Sequence, residues 1–256
     1  MDTVFHLDSP PIVEAVLDID CDLPPTFVLE NAESGIKTHF QKQYPRHRRK
    51  FFRDHQVSDD LTTPLQISVK EGLEAINFSS EKGNQIVQFR KSGYSFNRLA
   101  PYDGLDAYLP EIERTWNIFL ELVRPVCIRK IGLRTINRIP LPLDHETDSL
   151  DLDLYFNTAP QLPEGRDLRL SGFTTQLSAI DSATNSQIGI VLTPQPVNDG
   201  SLPIILDISV GHQVAPGFGK SWEEISSVVS TLRNLKNCIF KNILTEKCLK
   251  LFSIQG

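Results

Sequence analysis

The stretch Lys130–Pro140, KIGLRTINRIP, constrains this chain more than any other. Its residues alternate with a period of two, which reads as a strand with two unlike faces. Ile131, Leu133, Thr135, Asn137 and Ile139 share one face; Lys130, Gly132, Arg134, Ile136 and Arg138 share the other. The first face is apolar apart from Thr135 and Asn137 and reads as a core face. The second carries three cations, a costly arrangement unless they meet water, carboxylates or a ligand. The chain must therefore build a sheet that is covered on one side. Asn137, on the core face, needs a hydrogen-bond partner and is expected to tie down backbone.

The rest of the chain can be read around that strand. Pro10–Asp20 alternates as a first strand, with Glu14, Asp18 and Asp20 on one side and Val13, Ala15, Leu17 and Ile19 on the other. Thr26–Gln43 has helical spacing and ends before Pro45. Gln66–Lys70, Gly72–Ser79, Gln85–Lys91 and Tyr94–Ala100 read as strands of an antiparallel meander, with turn signals at Glu81–Asn84 and Ser92-Gly93. Leu105–Arg124 is a helix that buries Trp116, with Pro110 in its first turn and Pro125 after its end. The central strand follows, from Val126 to Ile139. Pro140–Pro163 is rich in proline and aspartate and reads as a crossover. Beyond it, Arg169–Asp181 and Gln187–Thr193 form a hairpin, and Leu202–Gly211 a further strand. A long helix opens at Ser221, with Glu224 placed for a capping box; its buried stripe is Trp222, Ile225, Val228, Val229, Leu232, Leu235 and Ile239. A short last helix from Thr245 buries Leu249 and Phe252.

Runs of strands closed by a helix, without strict βαβ alternation, give an α+β fold with largely antiparallel sheets. The expected organisation is two meander-plus-helix halves of helix-grip type, sharing one core and related by pseudo-duplication. The halves are residues 1–140 and 166–256, joined by an acidic, proline-containing crossover at 141–165.

Composition bounds the class. The 256 residues carry a formal net charge of -6, which disfavours a nucleic-acid binder that uses its whole surface and leaves room for a local basic patch. The N-terminal MDTVFHLDSPP lacks the charged and apolar regions of a secretory signal. No apolar run is long enough to span a membrane. Cys21, Cys127, Cys238 and Cys248 show no metal-binding spacing, and the expectation is reduced, packed cysteines in a cytoplasmic protein.

Several stretches invite a chemical reading. In Gln43–Arg53, Arg46, Arg48, Arg49, Lys50 and Arg53 cluster around Phe51 and Phe52. Cations interleaved with aromatics suit phosphate contact plus base stacking; the structural alternative is a solvated loop or helix end. Asp54–Thr63 reads as loop. Gly217–Ser221 resembles the end of a phosphate-binding loop, but Val214 stands where that pattern requires glycine. Asp144-His145-Glu146 lacks a second ligand cluster, so no metal and no cofactor is expected. No sequence motif of a catalytic triad or zinc hydrolase is present, which leaves the catalytic residues unassigned.

The blocks PPIVEAVLDI, Tyr102–Trp116, IGLRTINRIPLP and LRNLKNCIFKNILTEKCL together resemble a prokaryotic family of sporadic distribution, over nearly the whole chain. PIVEA and GLRxxNRI are its most specific signatures. They fall here on Pro11, Glu14 and Ala15, and on Gly132, Arg134, Asn137 and Arg138. The family pattern is aromatic after Arg134, where this chain has Thr135, so no stacking role carries over. The basic tract lies in a part that varies within the family. The resemblance implies a prokaryotic cytoplasmic protein from a mobile or defence-related locus, with no established activity.

The leading expectation is a non-enzymatic binding module for a partner protein, a nucleic acid or an anionic ligand, with self-association as a further form of partnership. Its candidate cluster is Glu14, Arg134, Asn137 and Arg138, with Glu14 the expected counter-charge of Arg134 across neighbouring strands. The alternative is an enzyme acting on nucleic acid or a phosphorylated metabolite. There Arg134 and Arg138 would hold the anion and a base such as His212 would act on it.

Overall fold

The computed structural model of the chain describes residues 7–58, 66–143, 150–163, 168 and 170–253. Nine strands among them form one sheet: β1 (Ile12–Asp22), β2 (Arg46–Ser58), β3 (Gln66–Ser79), β4 (Gln85–Arg90), β5 (Gly93–Leu99), β6 (Cys127–Pro142), β7 (Thr175–Asp181), β8 (Ser186–Pro194) and β9 (Ser201–Gln213). The helices are α1 (Leu29–Phe40), α2 (Leu109–Val123), α3 (Trp222–Ile243) and the short α4 (Glu246–Leu249). The mixed α and β content and the antiparallel sheet agree with the expected class. None of the helices is long and apolar enough to cross a membrane.

The strand order is β2-β3-β4-β5-β1-β6-β9-β8-β7, and every neighbouring pair is antiparallel. Apart from β2 the order reads alike from both ends. A meander, β3-β4-β5, meets β1 on one side, and a meander, β7-β8-β9, meets β6 on the other. The seam is the antiparallel β1–β6 pair, in which Leu17 faces Leu133 and Ala15 faces Thr135. KIGLRTINRIP lies inside β6, at the centre of the sheet.

One face of the sheet carries the helices. Leu17, Ile19, Ile131, Leu133, Phe96 and Val210 pack there against Ile112, Trp116 and Phe119 of α2 and Ile225, Val229 and Leu232 of α3. A second buried cluster joins Ile139, Leu141, Leu206 and Ile208 to Phe240 and Ile243. Each fully buried aliphatic or aromatic side chain contributes about 2 kcal/mol by leaving water. The opposite face, here called open, bears no helix among the described residues.

Local chemistry explains the element ends. Pro110 sits in the first turn of α2, where no backbone N–H is needed, and Arg124 closes that helix in a left-handed conformation. Ser221 caps α3 by accepting a hydrogen bond from the Glu224 amide at 3.4 Å. Gly93 has φ +135°, and a Cβ there would lie 2.1 Å from the Ile19 carbonyl oxygen, so only glycine fits this turn beside β1.

Several elements differ from expectation. The basic tract is neither loop nor helix end: Arg46–Ser58 is an edge strand, and its backbone pairing carries through 54–58, which had read as loop. Residues 59–63 of that expected loop lie outside the described residues, as do Asp144, His145 and Glu146. β3 runs unbroken from Gln66, because the ladder with β2 continues through Glu71 and Gly72. β7 begins at Thr175, with residues 170–174 of the expected strand outside the sheet and Arg169 outside the described residues. In the acidic crossover, Leu141 and Pro142 extend β6, while Leu152, Tyr155 and Phe156 are buried in the second cluster. In the last helix the buried residues are Cys248 and Phe252, with Leu249 only partly covered. All four cysteines are free, but Cys238 is exposed rather than packed.

Candidate functional site

The core face of the central strand is interrupted between the two apolar clusters. Along β6 the core face runs Leu133, Thr135, Asn137, Ile139, passing from the first cluster to the second through two polar residues. Along α3, Leu232, Leu235, Ile239 and Phe240 carry the apolar stripe from the first cluster to the second, and the partly buried Lys236 lies beside that stripe, one turn from Leu232 and from Phe240. The strand thus turns polar on its core face where α3 brings Lys236 alongside its own apolar stripe. A cavity of about 560 Å³ lies there.

Its floor is Ala15 and Leu17 of β1, Phe96 and Arg98 of β5, and Leu133, Thr135 and Asn137 of β6. Its walls are the 102–108 segment before α2, the α3 residues Arg233, Lys236, Asn237 and Phe240, and the chain entering β1. It sits at the seam between the two meanders.

The polar groups of the floor are deeply buried: Asn137 is 1% exposed, Thr135 4% and Arg98 7%. Asn137 donates through Nδ2 to the Leu206 carbonyl at 2.9 Å, as its expected backbone-tying role requires. Its Oδ1, the hydroxyl of Thr135 and Nε of Arg98 have no hydrogen-bond partner among the described residues. An unsatisfied buried polar atom costs about 1–3 kcal/mol, so three around one cavity suggest a surface built for something polar.

Charge is distributed unevenly. Arg98 donates to the Pro101 carbonyl at 2.9 Å and, at a longer 3.4 Å, to Asp103 Oδ2, and lies over the Tyr108 ring, 4.6 Å from its centroid. Arg233 grips Asp106 with two bonds of 2.6 and 2.7 Å. The side chains of Asp103 and Asp106 are 65% and 69% exposed, so the acids stand at the mouth while Arg98 lies inside. Lys236 is partly buried and makes no ion pair among the described residues. Burial, and secondarily the nearby Arg233 charge, pull its ammonium down from 10.5 to about 8. The carboxyl of Asp106 is held below its ordinary value by the Arg233 hydrogen bonds.

The sequence-derived cluster is divided by the sheet. Asn137 faces the cavity, whereas Glu14, Arg134 and Arg138 project from the open face. Arg134 does not pair with Glu14. It forms a forked ion pair with Asp207 of β9, Nε to Oδ1 at 2.9 Å and Nη2 to Oδ2 at 2.5 Å. Glu14 accepts from Asn97 Nδ2 at 2.6 Å, and Arg138 donates to Gln195 Oε1 at 3.2 Å. His212 pairs in register with Ile131 and so lies on the helix-covered face, away from the two arginines it was expected to serve. Its Nδ1 is 3.5 Å from the hydroxyl of Ser186, which is fully buried.

The open face has its own concavity of about 600 Å³, floored by Gly132, Gly189 and Gly211. Its charged rim is already internally matched. Arg90 reaches Asp20 at 3.0 Å and Asp18 at 3.3 Å, and Lys130 donates to Gln187 at 3.0 Å.

The basic tract is partly neutralised. Arg49 is paired with Glu33 of α1, Lys50 with Glu74 at 3.2 Å, and Arg53 with Glu71. Arg46 and Arg48 make no ion pair among the described residues, and Phe51 is exposed. The lookalike phosphate loop is a tether: Lys220 Nζ donates to the Pro125 carbonyl at 2.6 Å, and its own carbonyl accepts from Trp116 Nε1 at 3.1 Å.

Sequence reading missed Lys236, Arg98 and Arg233. The available signal for Lys236 was its spacing, four residues after Leu232 and four before Phe240. Neither the scan against protein-family models nor the search of curated proteins gives a match for this chain.

Proposed function

We propose that the protein is a binding module that takes a small carboxylate- or phosphate-bearing molecule in the cavity at the seam. The observation that carries this reading is the meeting of buried, unsatisfied Thr135 and Asn137 of β6 with Lys236 of α3 around one cavity. A purely structural core at that level would be apolar on the strand. The interior cations supply the anion site; Thr135 and the Asn137 amide oxygen supply hydroxyl or carbonyl recognition.

The architecture supports the same reading. Each meander with its helix is a helix-grip-like unit, and the end-to-end likeness of the strand order favours descent of the halves by duplication. The PIVEA and GLRxxNRI blocks are the two seam strands, with Pro11, Ala15 and Asn137 lining the cavity. In the setting implied by the resemblance, a prokaryotic cytoplasm and a mobile or defence locus, such a module would signal its ligand to a partner protein.

The experiment is a thermal-shift and calorimetric panel of small organic acids and phosphorylated metabolites against the purified chain. A saturable shift that weakens about tenfold in Thr135→Val, the loss of one buried hydrogen bond, supports the reading. Shifts equal in the two proteins would refute it.

A second reading has one observation behind it. Arg46 and Arg48 lie on the open face of an edge strand, without an ion pair among the described residues and on the same side as the exposed ring of Phe52, which suits contact with single-stranded nucleic acid.

A further inference from the structure

The cavity that we read as an anion site also contains an amine suited to chemistry. We propose that Lys236 is a nucleophile that captures the carbonyl group of a small keto or aldehyde acid as an imine, with Arg98 holding the acid's carboxylate. The inference rests on the binding reading above and specifies the class of ligand.

The geometry supports a separation of roles. Arg98 comes from the sheet floor and Lys236 from α3, and both line the one cavity. A lysine whose task was to neutralise an acid would be paired with one. Three acids line the cavity, Asp8, Asp103 and Asp106; Asp106 is held by Arg233 and Asp103 by Tyr108 at 2.7 Å and Arg98 at 3.4 Å, and Lys236 makes an ion pair with none of the three. Lys236 instead occupies a position on the helix where leucine or phenylalanine would suit packing, flanked by Leu232 and Phe240. Its burial and the adjacent Arg233 both favour the neutral, nucleophilic amine. The unpartnered Thr135 hydroxyl on the floor can hydrogen-bond the oxygen that leaves.

The step balances without an outside reagent. The nitrogen lone pair attacks the carbonyl carbon, and the C=O π pair moves to oxygen. That oxygen takes up a proton while nitrogen gives one up, forming a carbinolamine. Loss of the hydroxyl with a second proton releases water and leaves a C=N bond. Nothing is oxidised or reduced.

The test uses the whole chain with glyoxylate and pyruvate as probes, each with and without borohydride, followed by intact mass and peptide mapping. The expected result is one borohydride-dependent adduct per chain, on Lys236. Its labelling should be at least tenfold faster than that of any surface lysine, and it should be absent in Lys236→Arg. A measurement on the unaltered chain makes the test independent of whether that variant folds: lactate, which has the carboxylate but no carbonyl, should protect Lys236. Labelling spread over surface lysines without preference overturns the imine. If lactate shifts the melting transition but neither probe is trapped, the imine falls and the anion site stands. If no acid, with or without a carbonyl, shifts the transition, both fall.

Discussion

Arg134 and Asp207 are joined by a forked ion pair across the β6–β9 ladder, although neither is the other's register partner. Arg134 faces Ser209, and Asp207 faces Ile136. The guanidinium therefore reaches diagonally, as long side chains on one face of a sheet can. The pair raises the Arg134 pKa through its hydrogen bonds, with Glu14 and Asp18 adding only at longer range. Arg134→Leu should cost about 1–2 kcal/mol, because it leaves the less exposed Asp207 carboxylate without its partner. A double-mutant cycle with Asp207→Asn should show coupling of about 0.5–1.5 kcal/mol, and one with Glu14→Gln almost none. Urea melts of the single and double variants check this. Stronger coupling to Glu14 would contradict the pairing.

Thr135 offers a cleaner probe of the cavity. Its hydroxyl is buried without a partner, and valine has nearly its shape. Thr135→Val should therefore raise stability by about 1 kcal/mol while weakening any ligand of the cavity. Such opposite changes in melting temperature and affinity mark a functional polar group. A loss of stability in the variant would mean that the hydroxyl has a structural partner.

Much of this fold was legible because its signals are local. The alternation in KIGLRTINRIP, the turns of the meander and the Ser221 cap each depend on residues a few positions apart. The partner of Arg134 was not legible, because Asp207 lies 73 residues away and a two-strand comparison with Glu14 offered a plausible charge nearer the start. The strand at Arg46–Lys50 was hidden by its own composition. With cations at nearly every position, no alternation appears, yet Arg49 turns toward Glu33 of α1 while Arg48 shares a face with Asn77. Lys236 was lost differently: a stripe traced through apolar residues alone passes over the polar position that matters.

The edge strand sets up a test for nucleic-acid contact. Of the tract's cations, only Arg46 and Arg48 lie on the open face without an ion pair among the described residues. If the strand binds single-stranded RNA, replacing both with serine should lower the salt slope of log K by about 1.4, two contacts at the single-strand coefficient. Arg49→Ser should leave the slope nearly unchanged, since Arg49 is engaged by Glu33. Anisotropy titrations across a salt series decide the matter. An unaltered slope in the double variant removes this strand from consideration.

Lys236 should leave a signature in the pH dependence of stability. Its folded-state value near 8 lies below the ordinary 10.5, so between those limits the unfolded chain binds more protons. Stability from this group therefore rises with pH across that window. Below pH 8 the lysine is charged in both states, and folding bears the full cost of its burial. Lys236→Met should accordingly be more stable than the natural chain at pH 7, by about 1–3 kcal/mol, and the difference should shrink toward pH 10. Other groups face the cavity: Arg233 on the same helix, Arg98 on β5, Tyr102, Asp103, Asp106 and Tyr108 before α2, and Asp8 beside β1. Mutual pairing holds Asp106 below and Arg233 above its ordinary value, and burial raises Tyr108 and pushes Tyr102 up to about 12, so the difference between the two proteins reports chiefly on the lysine. Urea melts at intervals from pH 7 to 10 measure it. A difference that stays constant across that range would show that Lys236 has water or an acid at its tip, and would remove the basis for its nucleophilic role.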